Sequence, residues 1–264
     1  MPTLALPDGD LHYQLDGQPD APILLLSNSL GTDLGMWDGQ IPELTQHFRV
    51  LRYDTRGHGR SLVSVGPYSI EQNGRDVLAL LDALDVQRAS FCGLSMGGLI
   101  GQWLLLNAPQ RLEKVVLCNT AMKIASIEVW NSRIEMVLRD GKVGMLSLRE
   151  ATVTRWFSTE FAASRPGEVE RLLDSLVDTS PQGYAANCSA VRDANFTHQL
   201  CAVQLPVLVV CGDRDPVTTV ADGELLKQAI AGAQLVTLCA AHLSNVEAAQ
   251  SFSSAVLAFL MSRP

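Results

Sequence analysis

The chain has 264 residues, of which 47% are hydrophobic and 18% charged, with a formal net charge of −8. That length and composition fit one large globular domain, or a core with an insertion, and leave little room for long disorder. The acidic balance argues against nucleic acid and against an anionic membrane surface as partners, although a local cation can still hold a small anion.

The first eight residues carry neither a basic n-region nor a long apolar core, so no signal peptide is expected. No apolar run has the length of a membrane span either. Leu4–Leu6 and Leu11–Leu15 flank the turn Pro7-Asp8-Gly9-Asp10, which predicts an opening hairpin. Pro22–Leu26 is wholly apolar, as suits a strand covered on both faces, and ends in the small-residue loop Ser27–Thr32. Met36-Trp37 and Ile41–Leu44 predict a short helix. Phe48–Tyr53 predicts a strand closing on Asp54–Ser61, and Ile70–Leu84 places Val77, Leu80, Leu81 and Leu84 at helical spacing.

The apolar run Ala89–Cys92 then leads into Gly93-Leu94-Ser95-Met96-Gly97, which fits G-x-S-x-G, and a helical pattern starts directly behind the serine. A strand turning sharply into a helix forces the residue at the turn into a strained backbone. Small neighbours allow the close approach, and the helix N-terminus offers free N–H groups to a developing oxyanion. Alone, the motif is also what a glycine-rich turn with an incidental serine looks like.

Val115–Asn119 is the next strand. From Thr120 to about Phe196 the patterns are helical only, with Ile127–Leu138 and Glu168–Val177 amphipathic. Alternation resumes with strand Pro206–Cys211, helix Glu224–Ile230, strand Gln234–Leu238 and a helix from Ser244 to the C-terminus. Five or six covered strands alternating with helices predict a doubly wound, mostly parallel α/β sheet. Residues 1–119 and 197–264 form its core, and residues 120–196 a helical cap inserted after the sixth strand, over the carboxyl ends of the strands where ligands sit. Cys92, Cys118, Cys211 and Cys239 fall in or at the ends of strand-like runs, where free thiols pack as small hydrophobes. A reduced, cytoplasmic, soluble protein is expected.

An activated serine needs a base and a carboxylate to orient it. Of five histidines, His242 follows the last predicted strand, just ahead of a helix that Ser244 and Glu247 should open with a capping box. His58, between two glycines, reads as a turn-stabilising residue. Asp213 and Asp215 both follow the strand ending at Cys211; Asp215, directly before Pro216, is favoured because that extended position can lean toward a histidine. The chain order Ser95, Asp215, His242 then follows. Met96 N–H and Leu30 N–H are the expected oxyanion donors, with their side chains as apolar walls. Scattered histidines, and the absence of C-x-x-C, H-E-x-x-H, G-x-G-x-x-G and P-loop motifs, predict no metal and no cofactor.

The elbow GLSMGG, the D-x-R-G-x-G-x-S run at 54–61, the GDRDP loop and the late histidine together resemble the α/β-hydrolase fold superfamily over essentially the whole chain. More narrowly, Asn28–Asp33 with Met36-Trp37, Tyr53–Gly59 and Ala241–Glu247 resemble 3-oxoadipate enol-lactone hydrolases. Many superfamily members carry His-Gly where this chain has Asn28-Ser29, which favours the narrower group. The resemblance implies a serine hydrolase of the β-ketoadipate pathway of aromatic catabolism, opening a small anionic enol-lactone through an acyl-enzyme. An anionic substrate calls for a cation in the cap: Arg133 borders the stripe Ile127, Trp130, Ile134, Val137, so Arg133 is expected to pair with the substrate carboxylate beside Trp130. Arg155-Trp156 is the second candidate pair. Ser95 speaks against dehalogenase and epoxide hydrolase chemistry, which need an aspartate there. A general carboxylesterase or cofactor-free haloperoxidase-like perhydrolase uses the same triad and remains the alternative, as does a non-catalytic hydrolase-fold receptor. No partner beyond the substrate is expected, and the sequence carries no signal of oligomeric state.

Overall fold

The computed structural model describes residues 2–262. Strands β1 (Thr3–Leu6) and β2 (Gly9–Asp16) form the expected antiparallel hairpin. β3 (Ile23–Ser27) follows, then a 3-10 turn at Leu34–Gln40, helix α1 (Ile41–Leu44) and β4 (Arg49–Tyr53). Helix α2 (Ile70–Ala83), β5 (Ala89–Leu94), α3 (Met96–Asn107) and β6 (Leu112–Cys118) come next. Five helices separate β6 from β7: α4 (Ile127–Asp140), α5 (Lys142–Trp156), α6 (Thr159–Ser164), α7 (Pro166–Asp178) and α8 (Pro181–Asp193). The chain ends with β7 (Val207–Gly212), α9 (Val220–Ala229), β8 (Gln234–Leu238), α10 (Ser244–Glu247) and α11 (Ala249–Met261).

The eight strands make one sheet in the order β1-β2-β4-β3-β5-β6-β7-β8. The pairings from β4 through β3 to β8 are parallel, and the β1–β2 and β2–β4 pairings at the other edge are antiparallel. Strand β5 is buried at all six positions because helices cover both faces, which explains its unbroken apolar run. The order turns back at β3: the connection to β4 goes to one side, and the next crosses to β5 on the other. A crevice opens at such a switch point, at the carboxyl ends of the strands. The loops after β3 and β5, carrying Leu30 and Ser95, lie on either side of it.

Glycines allow the tight β5–α3 turn. A Cβ on Gly93 would run into the Gly97 carbonyl, and one on Gly97 into the Ser27 carbonyl, so the elbow seats directly on β3. The D-x-R-G-x-G-x-S run braces the loops behind the crevice. Asp54 accepts from Leu34 N–H (2.8 Å), Arg60 N–H (2.9 Å) and the His12 ring (2.8 Å). The Arg56 guanidinium holds Asp76 of α2 by two bonds of 2.6 and 2.7 Å and reaches Asp8 at 2.9 Å. Arg56 is 3% exposed, so removing either Arg56 or Asp76 would strand a buried charge.

Five local expectations are corrected. Ser244 and Glu247 form no capping box: the α10 N-cap is Leu243, Ser244 Oγ donates to Asn119 Oδ1 (2.5 Å), and Glu247 accepts from Ala241 N–H (3.1 Å). The last helix is split at Ala248 into α10 and α11, and its expected run over residues 263–264 lies outside the described residues. Cys239 is exposed, because it sits past the end of β8 where no helix covers it, whereas Cys92, Cys118 and Cys211 are buried as expected. Ile127 is 48% exposed at the first turn of α4, beyond the reach of its packing partners, so the stripe starts at Trp130. Helix α9 begins at Val220, four residues before the expected start, because Thr219 and Asp222 form a capping box. Among the described residues no helix is long and apolar enough to cross a membrane.

Candidate active site

Ser95 is the N-cap of α3 and holds φ +57°, ψ −111°, a conformation that non-glycine residues rarely adopt. The surroundings determine it: Ser95 N–H donates to Cys118 O (2.9 Å), while Ser95 O accepts from Leu99 N–H (3.1 Å) and Thr120 Oγ1 (2.9 Å). Strain held by this many bonds is the kind stored at functional sites.

His242 lies in the loop between β8 and α10, 3% exposed, with Nδ1 2.8 Å from Asp215 Oδ2. Asp215 is also buried, at the carboxyl end of β7. Its second oxygen accepts from Val217 N–H (2.8 Å) and Thr218 N–H (3.1 Å); Oδ2 also accepts from Asn119 Nδ2 (3.0 Å) and Thr218 Oγ1 (2.8 Å). Burial alone would raise the carboxyl's pKa; the His242 charge and hydrogen bond, with Asn119 and Val217, outweigh it and bring it down to about 2. Asp215 is therefore an anion at any working pH, and it fixes the His242 tautomer with the proton on Nδ1 and the Nε2 lone pair free. Asp213 points elsewhere and accepts from Ala240 N–H at 3.2 Å.

One cavity of about 250 Å³ is lined by Ser95, His242, Leu30, Trp130, Arg133 and Trp156, and also by Arg155 and Tyr184. Met96 departs from expectation in one respect. Its side chain is buried at 1% exposure and lines no part of the cavity; only its backbone is positioned for the site. The N–H groups of Leu30 and Met96 have no acceptor among the described residues, although their neighbours do. Ser29 N–H goes to Met36 Sδ (3.3 Å), Gly31 N–H to His58 Nε2 (2.9 Å) and Gly97 N–H to Asn28 O (3.0 Å). The Asn28 side chain explains the departure from His-Gly at this loop: it donates to Tyr53 O (2.8 Å) and accepts from Trp37 Nε1 (2.9 Å), pinning the loop to β4.

The helical insert supplies the cavity's cations. Arg133 lies over the Trp130 ring, 4.8 Å from its centroid, and Arg155 Nη2 donates to Thr152 Oγ1 (2.8 Å). Neither pairs with a carboxylate among the described residues. Burial first, and then the charge of Arg133, lowers the pKa of Arg155. Two guanidiniums facing one cavity without a counter-ion make a receptor for an anion. The two candidate pairs read from sequence are thus two sides of one pocket. The insert is also stapled to the histidine loop: Trp156 O accepts from Leu243 N–H (3.0 Å), and Glu247 accepts from Ser158 N–H (3.1 Å).

Sequence reasoning missed Asn119, Thr218, Tyr184 and Thr152. Asn119 carried a usable signal, a polar residue at the end of an apolar strand on the same edge as Ser95. The others carried none: Thr152 and Tyr184 are helical residues facing a cavity and look like any half-polar helix face, and Thr218 is one more small polar residue in the loop after β7.

The chain belongs to the α/β-hydrolase fold family, whose profile matches residues 22–249. Within that family the likeness narrows to enol-lactonases. The chain is 45% identical to 3-oxoadipate enol-lactonase 2 of Acinetobacter baylyi, over 98% of this chain and 96% of that protein. It superposes on the crystal structure of the enol-lactonase from Burkholderia xenovorans LB400 with a TM-score of 0.96 at 46% identity, covering 99% of this chain and 100% of that one. A hydrolase from Pseudomonas aeruginosa PA01 matches with a TM-score of 0.95 at 48% identity, covering 99% and 98%.

Proposed function

We propose that the protein hydrolyses 3-oxoadipate enol-lactone to 3-oxoadipate, with Ser95 as nucleophile, His242 as general base and Asp215 as the carboxylate that orients it. Ser95 Oγ attacks the lactone carbonyl while His242 Nε2 takes its proton. The oxyanion is held by Leu30 and Met96 N–H, each such donor contributing about 3–4 kcal/mol to the transition state. The ring C–O bond then breaks, His242 returns its proton to the leaving enolate oxygen, the resulting enol tautomerises to the ketone, and the acyl group stays on Ser95. Water, deprotonated by His242, attacks the ester and releases the product.

Arg133, with Arg155 lining the same cavity, holds the carboxylate that the lactone carries, and Trp130 and Trp156 wall its ring. Residues 120–196 act as a cap and residues 1–119 with 197–264 as the catalytic core. The observation that carries the reading is the 2.8 Å His242–Asp215 pair sharing one cavity with a strained Ser95 and two unpaired arginines. It is supported by the enol-lactonase relatives. The test is steady-state hydrolysis of enzymatically generated 3-oxoadipate enol-lactone, followed by loss of its ultraviolet absorbance. Turnover in the wild type that disappears in Ser95→Ala supports it; strong activity on p-nitrophenyl acetate with none on the enol-lactone refutes it.

A further inference from the structure

His58 touches no part of the cavity and has no place in the chemistry above, yet it is buried at 1% exposure directly behind the Leu30 loop. Its ring Nε2 accepts from Gly31 N–H at 2.9 Å. Nε2 must therefore carry a lone pair, and the ring proton sits on Nδ1, facing Arg56 O at 3.4 Å. Asn187 Nδ2 also lies 3.4 Å from Nδ1, but its two protons go to Arg56 O (2.7 Å) and Gly183 O (3.1 Å), so it completes the frame around the ring. Burial lowers the His58 pKa to about 4, against the opposing pull of Arg56 O, Asp54 and Asp33, so the neutral ring that this bond requires persists at working pH.

Residues Ser29–Thr32 form a tight turn closed by Thr32 N–H to Ser29 O (3.3 Å), with Gly31 at φ +84°. A positive φ at the third position is the mark of a type II turn; the type I alternative flips the central Leu30–Gly31 peptide and turns Gly31 N–H away. The preceding peptide shares the Leu30 Cα with the central one and is held across the same turn, where Ser29 O accepts from Thr32 N–H (3.3 Å) and Thr32 Oγ1 (2.9 Å) and the trans-related Leu30 N–H points the opposite way, so the setting of the turn sets the direction of Leu30 N–H. Among the described residues, His58 is thus the side chain that hydrogen-bonds the central peptide in its observed sense. Behind it, Gly57 and Gly183 pack backbone to backbone, so that α8 of the insert reaches the ring through Asn187.

We propose that His58 is a positioning residue: by accepting from Gly31 N–H it holds the turn that aims Leu30 N–H at the reacting carbonyl oxygen, and Asn187 ties that setting to the insert. The inference rests on the reading of Leu30 as an oxyanion donor. An oxyanion donor acts on the transition state more than on bound substrate, so its misplacement lowers kcat and spares KM.

The experiment compares wild type with His58→Leu, His58→Gln and Ser95→Ala on the enol-lactone, with sites counted by fluorophosphonate end-point titration and folding followed by thermal unfolding. His58→Leu should lose about 10–100-fold in kcat per titrated site with KM within about twofold, the scale of a misplaced catalytic group. His58→Gln should recover most of it, because Gln Oε1 can accept where Nε2 did. Should His58→Leu not fold, His58→Asn takes its place; its amide reaches only the Nδ1 position and should show the same loss. A kcat per site within about twofold of wild type in the non-accepting variant, or a Gln variant no faster than it, overturns the proposal. A fall in thermal stability with unchanged kcat per site also overturns it, leaving His58 a structural residue. Ser95→Ala keeps the two levels apart: its full activity would refute the serine mechanism itself, whereas its inactivity beside a fully active His58→Leu refutes only the role of His58.

Discussion

The sheet edge and the helical insert face each other across one cavity, and they are built on opposite principles. At the sheet edge almost every polar group is committed: Asp215 accepts from the His242 ring, Asn119, Val217 and Thr218, and the backbone of Ser95 is locked by β6 and Thr120. In the insert, Arg133 and Arg155 face the cavity with no carboxylate partner among the described residues, and Leu138, Val143 and Leu146 of the same two helices lie exposed. Committed groups give a fixed geometry, as bond-making chemistry requires. Uncommitted cations gain a partner only when an anion arrives, as recognition requires. Under the proposed function, the contrast corresponds to chemistry at the edge and substrate choice in the insert.

The largest blow to this comparison would come from the edge. Ser95→Ala should lower kcat for the enol-lactone by about 10⁵–10⁶-fold, and Asp215→Asn by about 10⁴-fold, while Asp213→Asn should stay within about tenfold of wild type. Steady-state assays on the three proteins check the ranking; a larger loss at Asp213 would move the carboxylate role there.

On the insert side, Arg133→Ala should raise KM for the enol-lactone about 10–100-fold with little change in kcat, the scale of a lost charge-assisted hydrogen bond. An unchanged KM would remove Arg133 from the site.

A third test is on stability. Arg56→Ala, which leaves Asp76 buried and unpaired, should cost about 3–5 kcal/mol in urea unfolding. His58 gives a pH signature of similar size. Its folded pKa of about 4 lies below its ordinary value of 6.5, so between those values the unfolded chain binds more protons and stability rises with pH. As pH falls from about 6.5 to about 4, wild type should lose about 3 kcal/mol that His58→Gln does not lose. Parallel urea midpoints for the two proteins over that range would show the histidine to be ordinary.

The smallest effect is at the surface. Cys201 and Cys239 are exposed and the other four thiols buried, so a thiol reagent should label two sites in the native protein with activity retained.

The two regions also differ in how far the sequence revealed them. That Ser95, Asp215 and His242 come together at one edge of the sheet was legible because a parallel sheet brings its loops to the carboxyl ends of its strands, and each residue follows an apolar run. The choice of Asp215 over Asp213 was legible because an extended pre-proline position leans away from its own turn. The insert was legible as helices but not as a wall. Nothing in the spacing of α4 and α5 says that Arg133 and Arg155 meet in one pocket, since that depends on how two helices cross. Met96 shows the converse limit: its backbone position was readable from the elbow, but its side-chain direction depends on packing. The capping box at Ser244 failed because Asn119 takes Ser244 and Ser158 takes Glu247 across the fold, and tertiary partners outweighed a local motif.

The most direct test of the division between edge and insert is the ratio of kcat/KM for the enol-lactone to that for neutral p-nitrophenyl acetate, measured in wild type and in the Arg133→Ala, Arg155→Ala double variant. The division predicts that the ratio falls about 100-fold or more while the neutral ester is turned over at close to the wild-type rate. An equal loss on both substrates would contradict it, placing the arginines in the chemistry instead of in the choice of substrate.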